Sequence, residues 1–592
     1  MSVVAEIKNA AAAAIKALYN IEVSEDVITV NATKPEFEGD YTIVVFSLVK
    51  QLRKAPDAAG NELGKYLAEN NASLINSFNV IKGFLNLVIT DSYWISFLEK
   101  NYNNDAFGKR GNNGKKVMVE YSSPNTNKPL HLGHLRNNFL GWSAGEILKA
   151  DGYDIAKTCI ANDRGIHICK SMIAWQLFAN GATPESTGIK GDHLVGDYYV
   201  MFGEELKKQV NELVEKGMPK EEAEKEAPIM KAAQQMLLDW EAGKPAVIAL
   251  WKEMNSWVYK GFDETYKRIG TDFDKIYYES NTYLLGKELV EYGLSKKVFF
   301  EKEDGSVWID LTADGLDEKI LRRRDGTAVY ITQDIGLAQQ KQNEFHCDQS
   351  IYVVGNEQDY HFNVLKLICK KLDIPGADGI YHLSYGMVEL PTGKMKTREG
   401  TVVDADDMLD EMINVARNKT EELGKIKDFT DEELKELYDI IGIGALKFFL
   451  LRVDPKKRIL FNPEESIDFH GFTGPFVQYT HARIKSILRK FPVSDFPLTA
   501  SGELLLLEKQ VIIQLEQFGT VIKEAAQEHD PSKIALYVFN LSRISNSFYT
   551  EHSVANAETD EKRILRLQLS KLTAHAIKTG MHLLGIKVPE RM

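Results

Sequence analysis

The sequence predicts a doubly wound parallel α/β domain, with a small α+β domain before it and an all-helical region after it. Three observations support this fold class. A strand, a polar loop and a helix follow one another in 116–150, and the same order returns in 153–178 and 350–372. Alternating strands and helices indicate a parallel sheet whose ligand binds at the carboxyl ends of its strands. From about residue 404 to residue 592 nearly every segment has helical periodicity.

The segment 116–150 is the most informative part of the chain. It predicts a buried strand over 117–121, a polar Pro/Asn loop, and a helix that opens near His131. Leu132, Leu135, Phe139 and Trp142 recur at helical spacing, so we expect one apolar face on this helix. Gly152 follows the last helical position and indicates a stop.

A strand, a tight turn and a helix N-terminus favour anion binding, because free N–H groups and the helix dipole point at the ligand. His131 and His134 lie three residues apart with Gly133 between them, so both imidazoles can face one ligand while the backbone comes close. Two histidines at this spacing are, taken alone, more often surface or core residues. Their position after a strand and loop favours the site.

Composition narrows the function classes. The 592 residues are 44% hydrophobic and 27% charged, which indicates a soluble globular chain of several domains. No apolar run reaches the ~20 residues needed to cross a bilayer, and lysines interrupt the Ala-rich start, so no signal peptide is expected. The four cysteines form no CxxC pair, which favours a reducing, cytoplasmic setting and argues against a zinc knuckle. A net charge of −13 requires local basic patches for any nucleic-acid partner, and such patches occur at 322–324, 456–458 and 481–490.

Four regions follow from these patterns. Residues 1–110 predict the α+β unit, ended by the Gly/Asn-rich linker 107–116. Residues 111–403 predict the α/β domain, with a charged helical insertion at about 197–269. Residues 404–470 predict a connecting helical region, and 471–592 a terminal helical domain. Within the second region, 327–340 is expected to be a strand that runs into a helix, with Asp334 at the junction as a probable N-cap.

A second motif lies about 260 residues after the first, in the second half of the same sheet. KMKTREG (394–400) is a basic, Gly-flanked loop after a strand. Three cations in five residues suit a pyrophosphate whose charge grows as a phosphoanhydride breaks. An ordinary solvated basic turn is the alternative.

HLGH at 131–134 together with KMKTREG resembles the two signature sequences of class I aminoacyl-tRNA synthetases. The longer VEYSSPNTNKPLHLGHLRNN is similar to arginyl-tRNA synthetases, as are YITQDIGLA, VVGNEQDYHF, GFTGPFVQYTHARI and the terminal LLGIKVPERM. The matches follow the family's order over the whole chain. The resemblance implies a Rossmann-type HxGH catalytic core with a helical insertion, an N-terminal domain at the D-loop corner of tRNA, and a C-terminal anticodon-binding bundle.

The implied activity is ATP-dependent ligation of L-arginine to its tRNA through arginyl-adenylate, with tRNA needed for the activation step. The family match implies catalytic roles for His131, His134, Lys128 and Lys394. It implies ATP contacts from His131, Gly133, His134, Gly355, Met387, Val388, Lys394 and Met395. It implies arginine contacts from Glu120, Asn125, Tyr330, Asp334 and Gln358. Carboxylates in fork geometry are what a guanidinium-selective pocket needs.

The loop departs from the family's usual KMSKS. Lys396 stands at the serine position and Thr397 at that of the second lysine. Relatives without that lysine typically carry one just before HxGH, and this chain has Lys128 there. We therefore predict that Lys128 takes over part of the phosphate charge, while a share for Lys396 stays open.

For tRNA, the match implies that Phe84 and Asn86 contact a D-loop base, that Tyr549 and Met592 meet the anticodon loop, and that Arg483 contacts phosphate. Core packing is the alternative for Phe84 and Tyr549, and a solvated helix face for Arg483. Mg²⁺ is expected to arrive with ATP, and no protein-bound zinc, no membrane and a monomeric state are expected.

Two other functions compete. A nucleotidylyltransferase with the HxGH motif would activate another acid without tRNA, but would not need about 190 helical residues at its end. A non-enzymatic synthetase-like RNA-binding protein would lose the ATP chemistry, which His131, His134, Lys394, Glu120 and Asp334 argue against.

Overall fold

The computed structural model describes residues 2–34, 36–389, 403–422, 429–493 and 503–592. The helices are α1 (Val3–Tyr19), α2 (Val49–Leu52), α3 (Pro56–Asn70), α4 (Asp91–Asn101), α5 (Leu132–Ala150), α6 (Ile166–Phe178), α7 (Pro184–Thr187), α8 (Gly191–Glu215), α9 (Lys220–Glu226), α10 (Pro228–Glu241), α11 (Pro245–Ile269), α12 (Glu279–Thr282), α13 (Lys287–Ser295), α14 (Tyr330–Phe345), α15 (Asp359–Lys371), α16 (Ala405–Glu422), α17 (Asp431–Leu451), α18 (Pro463–Ser466), α19 (Gly474–Lys490), α20 (Leu506–Glu516), α21 (Phe518–Glu528), α22 (Ser532–Glu551) and α23 (Asp560–Leu583). The strands are β1 (Val30–Ala32), β2 (Tyr41–Val44), β3 (Ile75–Ile81), β4 (Phe84–Ile89), β5 (Lys116–Glu120), β6 (Asp154–Ala161), β7 (Lys275–Tyr278), β8 (Phe300–Glu301), β9 (Val307–Ile309), β10 (Lys319–Arg322), β11 (Gln349–Gly355), β12 (Ile380–Tyr385), β13 (Val388–Glu389) and β14 (Ile459–Leu460).

The central sheet confirms the predicted doubly wound core. Its five parallel strands lie in the order β12-β11-β5-β6-β7. The direction of winding therefore reverses between β5 and β11, and in such sheets the ligand crevice lies outside the carboxyl ends of the strands at this point. Glu120 ends β5 and is in register with Tyr352 of β11 on one side and Thr158 of β6 on the other.

The N-terminal unit is a four-stranded antiparallel sheet, in the order β1-β2-β4-β3, with helices packed on it. A tight turn at Lys82 and Gly83, both with positive φ (48° and 74°), joins β3 to β4. Positive φ at both central residues suits the strand twist of a two-residue hairpin. Phe84 is the first residue after this turn.

Helices make up the insertion and the C-terminal region, as predicted. The insertion helices α8 to α11 run from Gly191 to Ile269, so the helical stretch begins a few residues before the expected start. The end of the terminal bundle touches the catalytic core, because Ser143 Oγ of α5 donates to the Leu583 carbonyl at 2.7 Å and Lys447 Nζ of α17 donates to the Gly585 carbonyl at 2.6 Å.

Two local predictions are corrected. Helix α5 is buried on nearly all sides and not along one apolar face, because its polar residues such as Arg136 and Asn137 find hydrogen-bond partners inside the core. The expected strand before Asp334 is reduced to a single bridge at Ala328. Helix α14 begins at Tyr330 with Val329 as its N-cap, so Asp334 lies within the helix and is not a cap.

All four cysteines are buried free thiols. The described helices include none with the length and apolar character required to pass through a membrane.

Candidate active site

Two histidines at the start of α5 offer the same hydrogen-bond donor, the Nε2–H group. His131 is the N-cap; its Nδ1 accepts from the Gly133 N–H at 3.1 Å, and His134 Nδ1 accepts from the His131 N–H at 3.2 Å. The ring centroids lie 4.0 Å apart. Because Nδ1 accepts in both rings, a neutral imidazole must carry its proton on Nε2. Each ring therefore offers an Nε2–H donor at the positive end of the helix dipole.

Lys128 lies beside both rings. Burial, and then the charge of Lys128, lower the pKa of His131 to about 4. Burial, His131 and Lys128 together hold the pKa of His134 well below its usual value, and burial also lowers the pKa of Lys128. At neutral pH the site therefore holds two neutral imidazoles and one ammonium group, all of them donors, which suits a phosphate ligand.

A buried arginine fixes the segment that faces these histidines. Arg136 of α5 donates from Nη1 to the Gly386 carbonyl and from Nη2 to the carbonyls of Pro455 (3.0 Å) and Lys457 (2.9 Å). Burial lowers its pKa to about 10. Met387 is partly exposed and Val388 is buried in β13, so the backbone of the predicted ATP contacts is held against α5.

The predicted ATP contacts Lys394 and Met395, with the rest of the basic loop, lie outside the described residues. The residue after that stretch returns to α5, since the Leu132 N–H donates to the Val403 carbonyl at 3.1 Å and the Ala405 N–H to the Leu130 carbonyl at 2.9 Å. Gly355 ends β11 beside this crevice.

Glu120 is held by a lysine that the sequence did not single out. Lys341 of α14 contacts Glu120 Oε2, and Thr158 Oγ1 lies 3.5 Å from the same oxygen. Lys341 is only 2% exposed, and its Nζ lies 5.4 Å and 5.2 Å from the ring centroids of Tyr277 and Tyr352. This arrangement forms a buried acid–base pair at the end of the central strand.

Asp334 lies nearer to solvent on the same helix. His361 Nε2 is 2.7 Å from Asp334 Oδ2. Tyr330, one turn before Asp334, is 75% exposed, and Asn125 and Gln358 are exposed as well. Glu120 and Asn125 lie at and after the end of β5, Gln358 follows β11, and Tyr330 and Asp334 lie on α14, with one acid buried and the other half-exposed.

A possible cation site is already filled by a lysine. In the described part of the chain, Asp192, His193 and Asp406 form the one group with metal-ligand spacing, with ligand atoms within 4.8 Å of one another. The Lys190 ammonium lies 3.0 Å from Asp192 Oδ2 and 2.7 Å from Asp406 Oδ2. The hydrogen bond to Asp406 raises the pKa of His193. The cluster joins α8 to α16 as an ion-pair network.

Comparison with known proteins decides the family. A family model described as tRNA synthetases class I (R), catalytic domain, matches residues 98–462, which is more than half of the chain. The arginine–tRNA ligase of Flavobacterium psychrophilum is 55% identical, and the match covers 98% of both chains. The chain belongs to the class I arginyl-tRNA synthetase family. The arginine–tRNA ligase of Bacteroides thetaiotaomicron is 53% identical, again over 98% of both chains.

The other two regions of this synthetase also match family models. Residues 5–89 match the arginyl tRNA synthetase N terminal domain and residues 477–592 the DALR anticodon binding domain. The arginyl-tRNA synthetase of Thermus thermophilus has the same fold, with a TM-score of 0.79 at 24% identity over 99% of this chain and 100% of that one. The Plasmodium falciparum structure gives a TM-score of 0.77 at 18% identity, covering 100% and 99%.

In the synthetase's N-terminal domain, the Phe84 ring is partly exposed to solvent, whereas the Asn86 side chain is buried and already hydrogen-bonded. Phe84 is 38% exposed and meets Phe46 edge-on, with centroids 5.7 Å apart. Asn86 is 1% exposed; its Oδ1 accepts from Thr42 at 2.6 Å and its Nδ2 donates to Asn79 at 2.8 Å. A base contact from Asn86 would require these hydrogen bonds to be exchanged.

In the synthetase's bundle, the Arg483 guanidinium lies 4.0 Å from the centroid of the Tyr549 ring, and both residues line a cavity between α19, α22 and α23. The neighbouring cations of α19 hold the C-terminal tail, since Lys485 pairs with Glu590 at 3.1 Å and Arg489 donates to the Glu590 carbonyl at 2.6 Å. Met592 packs partly buried against the bundle.

Sequence reasoning missed Lys341 and His361. Lys341 lies seven residues after Asp334, about two helical turns, so it shares the face of α14 that carries Asp334. That spacing does not reveal the pairing with Glu120, which is 221 residues away.

Proposed function

We propose that this chain catalyses the ATP-dependent ligation of L-arginine to its cognate tRNA, releasing AMP and diphosphate. One observation carries the proposal most directly. A buried carboxylate ends β5 and a phosphate-type donor cluster opens α5, the next helix, in a chain that is 55% identical over its length to an arginine–tRNA ligase.

In the first step, a carboxylate oxygen of arginine attacks the α-phosphorus of ATP. The bond to the bridging oxygen breaks, giving arginyl-adenylate and diphosphate. No protein nucleophile is needed, so catalysis consists of positioning and charge stabilisation. The Nε2–H groups of His131 and His134 and the Lys128 ammonium donate to the phosphates, and Lys394 follows the leaving diphosphate. Mg²⁺ is carried by ATP and water.

Selection of arginine rests on the two acids. Glu120 and Asp334 face the guanidinium and ammonium groups, while Asn125, Tyr330 and Gln358 supply neutral hydrogen bonds. A pocket built for a cation rejects neutral isosteres, because Oε1 of the buried Glu120 would then be left without its donor. This supports a synthetase that discriminates in one step.

In the second step, the 2′-hydroxyl of the terminal tRNA adenosine attacks the adenylate carbonyl, and AMP leaves with the electrons of the broken acyl–phosphate bond. We propose that Phe84 and Asn86 contact the tRNA corner and that Arg483, Tyr549 and Met592 contact the anticodon arm. Adenylate formation requires bound tRNA. The enzyme acts as a cytoplasmic monomer without a zinc ion of its own.

A charging assay with labelled arginine, ATP and total tRNA tests the activity, with canavanine and lysine as competitors. Arginine should be incorporated, canavanine should compete, and lysine should not. Arginine-dependent exchange between diphosphate and ATP should appear only when cognate tRNA is added. Robust exchange without tRNA would contradict the requirement, and no charging at all would contradict the function.

A further inference from the structure

The Glu120 carboxylate carries an internal counter-ion. Its described contacts with Lys341 and Thr158 both reach Oε2, which, within the part of the chain the structure describes, leaves Oε1 without a protein donor. Lys341 is enclosed as well, by the rings of Tyr277 and Tyr352. Both partners are almost fully buried, so the pair is not a surface ion pair whose geometry water could relax.

The pair is also linked to the second acid of the site. Helix α14 carries Tyr330, Asp334 and Lys341 at positions four and then seven residues apart, which is one face of a helix. That face runs from the exposed Tyr330 through the half-exposed Asp334 to the buried Lys341. The contact between Lys341 and Glu120 therefore fixes α14, and with it Asp334, against the carboxyl end of β5.

We infer that Lys341 is a positioning residue for arginine: it holds the Glu120 carboxylate in one orientation, so that Oε1 points to the substrate cation. This inference rests on the proposed function, since it takes Glu120 to be an arginine contact. Lys341 itself touches neither the substrate nor the reacting atoms. Because Lys341 and Thr158 both lie at Oε2, the carboxylate is already oriented before arginine arrives.

A neutral residue at position 341 should weaken the binding of arginine and leave the binding of ATP unchanged. In Lys341→Met the side-chain volume is nearly kept, but the buried carboxylate loses the partner that fixes its orientation. We expect the KM for arginine to rise at least tenfold at saturating tRNA, with the KM for ATP changed less than twofold. Lys341→Arg, which can still pair with the carboxylate, should restore the arginine KM to within a few-fold.

A neutral analogue separates positioning from a general loss of structure. Citrulline replaces the guanidinium with an uncharged urea of the same shape. With Oε1 of Glu120 no longer held toward the substrate cation, the preference for a charged ligand weakens, so the ratio of the citrulline inhibition constant to the arginine KM should fall at least tenfold in Lys341→Met. A merely structural role would weaken both ligands alike and leave the ratio unchanged, which would overturn the inference.

Lys370 provides a control from another surface ion pair. It pairs at 2.8 Å with Asp378, and both side chains are largely exposed. Lys370→Met should leave the arginine KM and the citrulline ratio unchanged. If Lys341→Met does not fold, Lys341→Gln allows the same measurements.

The Glu120→Gln variant distinguishes a wrong role for Lys341 from a wrong assignment of the arginine site. If Glu120→Gln weakens arginine binding and the neutral variants of Lys341 do not, the inference about Lys341 is wrong and the proposed function stands. If Glu120→Gln leaves the arginine KM unchanged, the assignment of the arginine site fails. The inference is supported when both variants raise the arginine KM and the Lys341→Arg variant restores it.

Discussion

The Nδ1 atom of His134 accepts a hydrogen bond from the backbone N–H of His131, at 3.2 Å. This bond uses one ring nitrogen for the helix cap and leaves the other, Nε2, as a donor. The two nitrogens can be replaced separately, because an Asn amide reaches the position of Nδ1 and a Gln amide that of Nε2. Structure and chemistry at this residue are therefore separable by substitution.

We predict that His134→Gln keeps more activity than His134→Asn. The Gln amide can still donate to phosphate, whereas the Asn amide keeps only the hydrogen bond of the helix cap. The rate of adenylate formation should therefore fall about a hundredfold in His134→Asn, which is the usual effect of removing one transition-state donor. Single-turnover arginine activation measures this, and thermal unfolding is the control. Equal rates for the two variants would contradict the role of Nε2–H.

The Lys128 ammonium is predicted to carry part of the phosphate charge. Lys128→Ala should lower the activation rate at least several-fold and by up to about a hundredfold, since a donor to the developing charge is lost. Lys115→Ala, an exposed lysine before β5, is the matched control and should not change the rate. Unchanged kinetics for Lys128→Ala would sink the assignment and leave the role to the loop lysines.

His361 is predicted to orient Asp334 through its Nε2 atom. His361→Gln can place an amide nitrogen at the same point and should change the arginine KM by no more than a few-fold. His361→Leu should raise that KM about tenfold, the loss expected for one hydrogen bond to a charged group. The KM for ATP is the internal control, and a similar change in both constants would argue against a specific role.

Arg483 is predicted to contact tRNA phosphate beside Tyr549. Arg483→Gln should weaken tRNA binding about tenfold and reduce the slope of log affinity against log salt by about one. Lys485→Gln should have a smaller effect, because Lys485 is already paired with Glu590. Filter binding at several salt concentrations gives both quantities, with the arginine KM expected to stay constant.

The buried position of Lys447 indicates that the free energy of unfolding depends on pH. Burial lowers the pKa of Lys447 to about 7 from 10.5, so between these values the unfolded state binds more protons and the free energy of unfolding rises with pH. Lys447→Met removes this cost of about 4 kcal/mol at pH 7 and should be more stable than the wild type there by about 3 kcal/mol, after allowing about 1 kcal/mol for the lost hydrogen bond. Urea unfolding at pH 7 and pH 9 should show the difference shrink as pH rises. Parallel pH profiles would contradict the prediction.

The strand, loop and helix around HLGH were predictable because their signals are local. A short apolar run, a Pro/Asn loop and helical spacing lie within one stretch, and the structure has β5 and α5 there. The doubly wound order was predictable for the same reason, since it follows from alternating elements. The roles of individual site residues came from family resemblance, and they stay predictions.

The start of α14 was mispredicted because local preference and packing disagree. Val329, Tyr330 and Ile331 favour a strand by residue type, but Ile331, Ile335 and Ala338 are buried at helical spacing against the sheet. The tertiary contacts outweigh the weak local preference. Asp334 is therefore in the helix.

Lys341 could not be assigned because its partner is distant in sequence. The contact with Glu120 joins residues separated by 221 positions. A lysine near the end of a helix with polar neighbours predicts a solvated side chain, and only the sheet brings the acid to it. The burial of Arg136 could not be predicted for the same reason, since its acceptors are the distant backbone carbonyls of Gly386 and Pro455.

The contacts of Ser143 and Lys447 with the carbonyls of Leu583 and Gly585 have a practical consequence for dissecting this enzyme. In a fragment truncated before the terminal bundle, these donors would lose their acceptors and the buried faces of α5 and α17 would be exposed to solvent. Such a fragment is expected to aggregate or to lose the geometry of His131 and His134. The catalytic half and the tRNA-reading half therefore need to be expressed as one polypeptide, and point variants are better suited than deletions for separating their roles.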